Sequence, residues 1–222
     1  MKKIILPLLL FIAVDFSLAQ IELKGTMGIN FLSVPSVQDY INENFASSDA
    51  QLGTFNSAVI FTGEVGTFLG KDFELSLEIP YQIYSYTENV GLGKYELAYN
   101  SFMPSIMAYY VLLGNGFNFK FGGGVGPRFV NISENKKWQG TEESFSSIGF
   151  GGLLRVEGNT ALAENVYANI GLDLRYDING EPEPDVDNID KLENKVKGEY
   201  VNFNTFSMGV KLGISYLFGV SN

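Results

Sequence analysis

Between Phe206 and Tyr216 the chain alternates at every step. Phe206, Met208, Val210, Leu212, Ile214 and Tyr216 are apolar, Ser207, Gly209, Lys211, Gly213 and Ser215 are small or charged, and Phe218 extends the apolar phase. A period of two sends successive side chains to opposite faces of an extended strand. The usual strand runs only about five or six residues. About ten residues tilted near 40° rise roughly 25 Å, the height of the apolar band on a membrane-spanning β-barrel. The segment predicts a strand that crosses a bilayer.

Seven earlier segments repeat the pattern. At 21–32 the apolar face is Ile21, Leu23, Met27, Ile29 and Phe31, and at 55–69 it is Phe55, Val59, Phe61, Val65 and Leu69. At 73–84 it is Phe73, Leu75, Leu77, Ile79, Tyr81 and Ile83. The least regular segment, 99–112, turns Phe102, Pro104, Ile106, Ala108, Tyr110 and Leu112 outward. The segments 117–130, 145–157 and 165–177 complete a set of eight. Long connections (33–54, 85–98, 131–144, 178–202) alternate with short turns (70–72, 113–116, 158–164). Short periplasmic turns, long extracellular loops and an even strand number are the habit of outer-membrane barrels. The expected fold is all-β, an eight-stranded antiparallel up-and-down transmembrane β-barrel over 20–222, with both termini in the periplasm.

A soluble barrel with its aromatic face inward is the competing arrangement, and the glycines oppose it. The polar face carries Gly28, Gly66, Gly122, Gly124, Gly126, Gly149, Gly151, Gly171, Gly209 and Gly213. Eight strands leave an interior only just wide enough for side chains. Small residues suit that concave face, whereas Gly on a solvated face would weaken the strands without return.

Residues 1–19 are expected to be a cleaved signal peptide: Lys2 and Lys3, an apolar run from Ile4 to Val14, then Ser17-Leu18-Ala19 before Gln20. No Cys follows the run to carry a lipid. No later run approaches the roughly 20 apolar residues of a spanning helix. The chain has neither Cys nor His, which removes disulfides, the commonest general base and the commonest metal ligand. A net charge of −10 argues against nucleic acid as a partner. No catalytic group, cofactor or metal site is assigned, and the chain reads as no enzyme.

The polar face brings charges of both signs into the lumen: Glu64, Glu74, Glu78, Glu157 and Asp173 with Lys24, Lys120, Arg128, Arg155, Arg175 and Lys211. Isolated charges in a narrow barrel are costly and paired ones tolerable, so a salt-bridged core is expected rather than an ion path. Counting from the strand ends puts Glu74, Lys120 and Glu157 near the periplasmic end. The same count puts Lys24, Lys211, Glu64 and Glu78 near the middle, and Arg128, Asp173 and Arg175 toward the outer end. Met103, Met107 and Tyr109 are expected to form a less polar wall in the upper lumen.

Other motifs carry less. The run Phe121-Gly122-Gly123-Gly124-Val125-Gly126-Pro127 lacks the Gly-Lys-Ser/Thr ending and the helix of a phosphate loop. The acidic stretch 181–190 has carboxylates for a hard cation but neither the turn Gly nor the terminal Glu of a calcium loop, so it reads as solvated. Asn131-Ile132-Ser133 matches a glycosylation acceptor by chance. In the first long connection, Ser36 and Asp39 approximate a capping box, and Val37, Tyr40, Ile41 and Phe45 share a helical face. A short helix packed on the barrel rim is expected there.

Lys211-x-Gly213-x-x-Tyr216-x-Phe218 resembles the terminal signal read by the barrel-assembly machinery. With it, the pattern of nearly the whole mature chain resembles the small eight-stranded outer-membrane barrels, the OmpA transmembrane-domain, OmpX and OmpW-like group. Four residues, Gly219 to Asn222, follow the last aromatic, where such barrels often stop, and no peptidoglycan-binding domain is expected after them. The resemblance implies an integral outer-membrane protein contacting lipid and the assembly machinery, with loops free to meet an extracellular ligand. A structural or surface-interaction role is expected. The alternative is a small channel or binding barrel for a small or apolar solute, lined by Met103, Met107 and Tyr109.

Overall fold

The computed structural model describes residues 20–46, 51–54, 56–90, 93–138, 140–187 and 189–219. The expected leader, 1–19, lies outside the described residues. In chain order the elements are β1 (Ile21–Ser33), α1 (Pro35–Asn44), β2 (Asn56–Phe68), β3 (Phe73–Val90), β4 (Gly93–Phe102) and β5 (Ser105–Leu113). They continue as β6 (Phe117–Lys136), β7 (Thr141–Ala163), β8 (Val166–Ile178), β9 (Glu183–Pro184), β10 (Glu193–Asn194), β11 (Glu199–Tyr200) and β12 (Thr205–Phe218).

Each wall strand pairs antiparallel with its sequence neighbour, and β12 returns to β1 over Ile21↔Phe218 to Ser33↔Phe206, which closes an eight-stranded ring. The fourth wall position is filled by β4 and β5 together, both paired with β3 on one side and β6 on the other. The predicted strand 99–112 is therefore two pieces, interrupted at Met103 and Pro104. Proline has no N–H for the ladder, and the break sits there.

The faces follow the alternation. Leu212 is 59% exposed while its neighbour Lys211 is 3% exposed. Outward Leu, Ile, Val and Phe form a continuous apolar belt between two aromatic levels. Cross-strand partners Tyr81, Phe102 and Phe129, with Tyr176 and Phe206, mark the upper level. Phe73, Tyr110, Phe117 and Tyr216 mark the lower. Such girdles flank the apolar band of a transmembrane barrel.

Above the upper girdle the polarity of the two faces inverts while the period of two persists. Outward positions become Ser85, Thr87, Asn131, Ser133 and Ser146; inward positions become Tyr84, Tyr95, Leu97, Tyr99, Val130, Ile132 and Phe145, all buried. The predicted connections 85–98 and 131–144 are thus largely strand. The β3–β4 and β6–β7 hairpins project beyond the bilayer as a four-stranded wall joined by the β4–β6 pairing. At the opposite end, β7 runs to Ala163, so the predicted turn 158–164 shrinks to two residues, with Asn165 at φ 62°.

Candidate functional site in the lumen

The inward face of the wall gathers the charged side chains into one network. Lys24 lies 3.2 Å from Glu64 and 2.9 Å from Glu157. Arg155 reaches Glu64 at 3.1 Å, Glu78 at 2.6 Å and Asp173 at 2.6 Å. Arg175 bonds Glu78 at 2.7 Å and Asp173 at 2.8 Å through one nitrogen, and Lys211 sits 2.9 Å from Asp173 and 3.8 Å from Glu78. These side chains are all at most 3% exposed. Four cations and four carboxylates therefore neutralise one another across the middle of the barrel, as buried charge requires.

The layering differs from a count along the strands. Asp173 and Arg175 belong to the central cluster, not the outer end, and Glu157 pairs with Lys24 rather than with Lys120. Tilted strands displace register partners in height, so equal distance from a strand end is not equal depth. Lys120 pairs instead with Glu74 at 2.6 Å and with Glu22. Arg128 stands apart with Asp177 and also donates to Ser105 Oγ at 3.1 Å, Gly126 O at 3.1 Å and Pro127 O at 3.0 Å, bracing the β4–β5 interruption. Glu22 and Asp177 were absent from the predicted set, although each is in phase with a residue in it, Lys24 and Arg175 respectively. Gly151 makes room for the Arg128–Asp177 pair, since a Cβ there would collide with the Asp177 carboxylate and the Arg128 guanidinium.

Met103, Met107 and Tyr109 all face inward, but they do not form an upper wall. The Tyr109 hydroxyl accepts a 2.9 Å bond from Arg155, and its ring lies 5.4 Å from Lys24 Nζ and 5.8 Å from Lys120 Nζ. Tyr109 therefore joins the central and lower charge groups. Met107, Val111 and Leu153 pack beside it.

The mouth is filled by the first connection. The helix forms at Pro35–Asn44 with Pro in its first turn, where its missing N–H costs nothing. The predicted capping box is absent: Val34 is the N-cap and makes no side-chain bond. Ser36 Oγ instead accepts the backbone N–H of Asn202, and Asp39 pairs with Lys197 at 2.6 Å. Val37, Tyr40 and Ile41 are buried, packed with Tyr95, Leu97, Tyr99, Val130, Phe145 and Phe203. Phe45 stacks on Tyr95 with centroids 4.4 Å apart. Within this apolar cap, Glu134 accepts bonds from the Tyr40 hydroxyl at 2.6 Å and the Tyr95 hydroxyl at 2.8 Å, and Lys136 lies 2.8 Å from its other oxygen. Burial and the Glu134 carboxylate push the Tyr40 phenol well above its usual range.

In the acidic stretch, Glu183 and Glu181 lie 2.6 Å and 3.8 Å from Lys191, and Asp185 accepts a bond from Ser146. Glu183–Pro184 adds a short strand to the edge of β7 at Phe145–Ser146. Of the terminal motif, Lys211 faces the lumen, while Tyr216 and Phe218 face outward with rings 4.5 Å apart.

No family model matches the sequence, and no curated protein matches it. Solved structures do. Neisserial surface protein A is 14% identical, covers 88% of this chain and 96% of its own, and superposes with a TM-score of 0.50. This chain has the fold of the small outer-membrane β-barrels. Ail of Yersinia pestis, solved with the heparin analogue sucrose octasulfate, is 10% identical over 90% of this chain and 99% of its own, with a TM-score of 0.50. A major outer membrane protein from Thermus thermophilus gives 13%, 90% and 99%, with a TM-score of 0.52. At such identities the likeness is one of architecture.

Proposed function

We propose that the chain is a non-enzymatic integral protein of the bacterial outer membrane, a closed barrel that acts through its outer face. Both termini lie in the periplasm, and α1, the two projecting hairpins and the loop 179–204 face outward. The terminal motif from Lys211 to Phe218 serves as the assembly signal.

The single observation that carries this reading is the Arg155 hub, a buried cation bound to Glu64, Glu78 and Asp173 at once. With Lys24, Arg175 and Lys211 it supports a plugged lumen rather than a path. The alternative, a channel or solute-binding barrel, needs a continuous bore from the mouth. The cap around Ile41 and Tyr95 and the packed Met107–Tyr109 cluster both oppose it. The non-enzymatic reading is supported by a chain without His or Cys.

The polyanion held by Ail does not suit this outer face. Lys94, Lys136, Lys137, Lys191 and Lys197 are each paired with a carboxylate, and the loop 179–204 sets Asp185, Asp187, Asp190 and Glu199 against one further cation, Lys195. Orientation is tested by single cysteines in this Cys-free chain. On intact cells an impermeant maleimide is expected to label Lys195→Cys and to spare Lys71→Cys. The reverse result overturns the reading.

A further inference from the structure

On the rim a groove of about 350 Å³ opens between the start of α1, the loop 179–204 and the upper ends of β8 and β12. Its edge toward the membrane is Tyr176 and Phe206, residues of the upper aromatic girdle. Its wall carries Asp39, Lys197, Glu199, Tyr200, Asn202 and Asn204. We propose that this groove binds a neutral saccharide, the sugar headgroup of a glycolipid in the facing leaflet. The choice of leaflet rests on the orientation proposed above; the saccharide chemistry does not.

Charge selects the class. Lys197 is the cation of the lining, and Asp39 at 2.6 Å and Glu43 at 3.1 Å already neutralise it. Glu199 leaves a further carboxylate exposed. A phosphate or sulfate meets net negative charge here, whereas hydroxyl groups both donate and accept. The donors are in place. Asn204 Oδ1 accepts the backbone N–H groups of Asn179 and Gly180 at 3.0 Å each, and Asn202 Oδ1 accepts that of Asn204 at 3.3 Å. With their carbonyl ends so engaged, both side chains have amide N–H groups to donate, and the Glu199 carboxylate of the same lining accepts.

Aromatic faces supply the rest. Tyr176 is 55% exposed and Tyr200 is 54% exposed. An exposed tyrosine ring offers an electron-rich face to the C–H side of a sugar ring and a hydroxyl to its rim. The volume lies at the small end of the range for ligand sites, about 300–1,000 Å³. Depth decides the source. Girdle residues lie at the headgroup level of a bilayer, so a lipid-borne sugar sits beside the groove without being drawn from bulk water.

The test follows the side-chain amide resonances of Asn202 and Asn204 in the isotope-labelled mature chain. One arm adds free lactose or N-acetylglucosamine to the protein in detergent micelles. The other compares phosphatidylcholine nanodiscs with and without digalactosyldiacylglycerol. Both amides are expected to shift in both arms, with Tyr200→Ala weakening saccharide binding roughly three- to tenfold while the unfolding temperature stays unchanged. No shift with any saccharide overturns the proposal, as does a shift with spermine alone, which would assign the groove to cations. A shift with free sugar but none in the glycolipid nanodiscs overturns the glycolipid source. The micelle arm is blind to orientation, so a wrong orientation leaves its result intact and appears in the cysteine labelling instead.

Discussion

Arg155 and Asp173 face each other across the β7–β8 ladder as a two-point pair, with Nε to Oδ1 at 2.6 Å and Nη2 to Oδ2 at 2.9 Å. The same guanidinium holds Glu64 and Glu78. Replacing it takes one cation from each of three buried carboxylates and leaves Lys24, Arg175 and Lys211 to balance four. Breaking a single buried pair typically costs about 3–5 kcal/mol, against roughly 0–1 kcal/mol for an exposed one. Arg155→Ala, which leaves one buried carboxylate in excess, is therefore expected to lose about that much in urea unfolding from lipid vesicles. A loss below about 1 kcal/mol would mean that the network is solvated.

The wall makes opposite demands on neighbouring residues. Leu212 stands in the lipid-facing belt, and Leu212→Arg is expected to cost roughly 2–4 kcal/mol near the bilayer midplane. Gly209 faces inward, where a Cβ would strike the Asn30 side-chain amide, so Gly209→Leu is expected to overpack the lumen at about 1–3 kcal/mol. Folding titrations into vesicles measure both. Full tolerance of Arg at Leu212 would reverse the faces.

The cap has its own pH signature. Burial, reinforced by the Glu134 carboxylate, raises the folded-state pKa of Tyr40 above its unfolded value of about 10. A raised pKa favours the protonated phenol in the folded state. This contribution is complete below the unfolded pKa and is lost as pH rises above it. Trp138, the single Trp of the chain, lies 6.1 Å from Phe45 and reports the packing of the cap. Above about pH 10 its fluorescence is expected to report loss of the cap at progressively lower urea. Tyr40→Phe should weaken the alkaline part of that change. The same substitution deprives Glu134 of a donor and should cost about 1–3 kcal/mol at neutral pH. An identical alkaline profile in both proteins would remove Tyr40 from the account.

The barrel was legible because one physical rule, apolar side chains toward lipid, holds from Leu23 on β1 to Phe218 on β12. The hairpin extensions were missed for the same reason. Beyond Ile83 the outward side is water and the inward side is the helix-filled mouth, so Ser85 faces out and Tyr84 faces in. The alternation continues with its polarity exchanged, and a reading tuned to apolar-out takes the exchange for a loop. The helix face of Val37, Tyr40 and Ile41 was readable from its spacing, but its start was not, because Ser36 spends its hydroxyl on Asn202 rather than on the helix. In the lumen the sign and side of each charge could be read locally. Which charges meet depends on strand tilt, a property of the closed ring that no single segment contains.

The closed lumen is tested most directly by the current through single wild-type barrels in a planar bilayer. With Lys24, Arg155, Arg175 and Lys211 each held by carboxylates and the mouth packed around Ile41, insertion is expected to leave the baseline without steady conductance. Steady, ion-selective conductance from the wild-type protein, persisting in a Lys211→Ala variant of unchanged stability, would contradict the plug and make the barrel a pore.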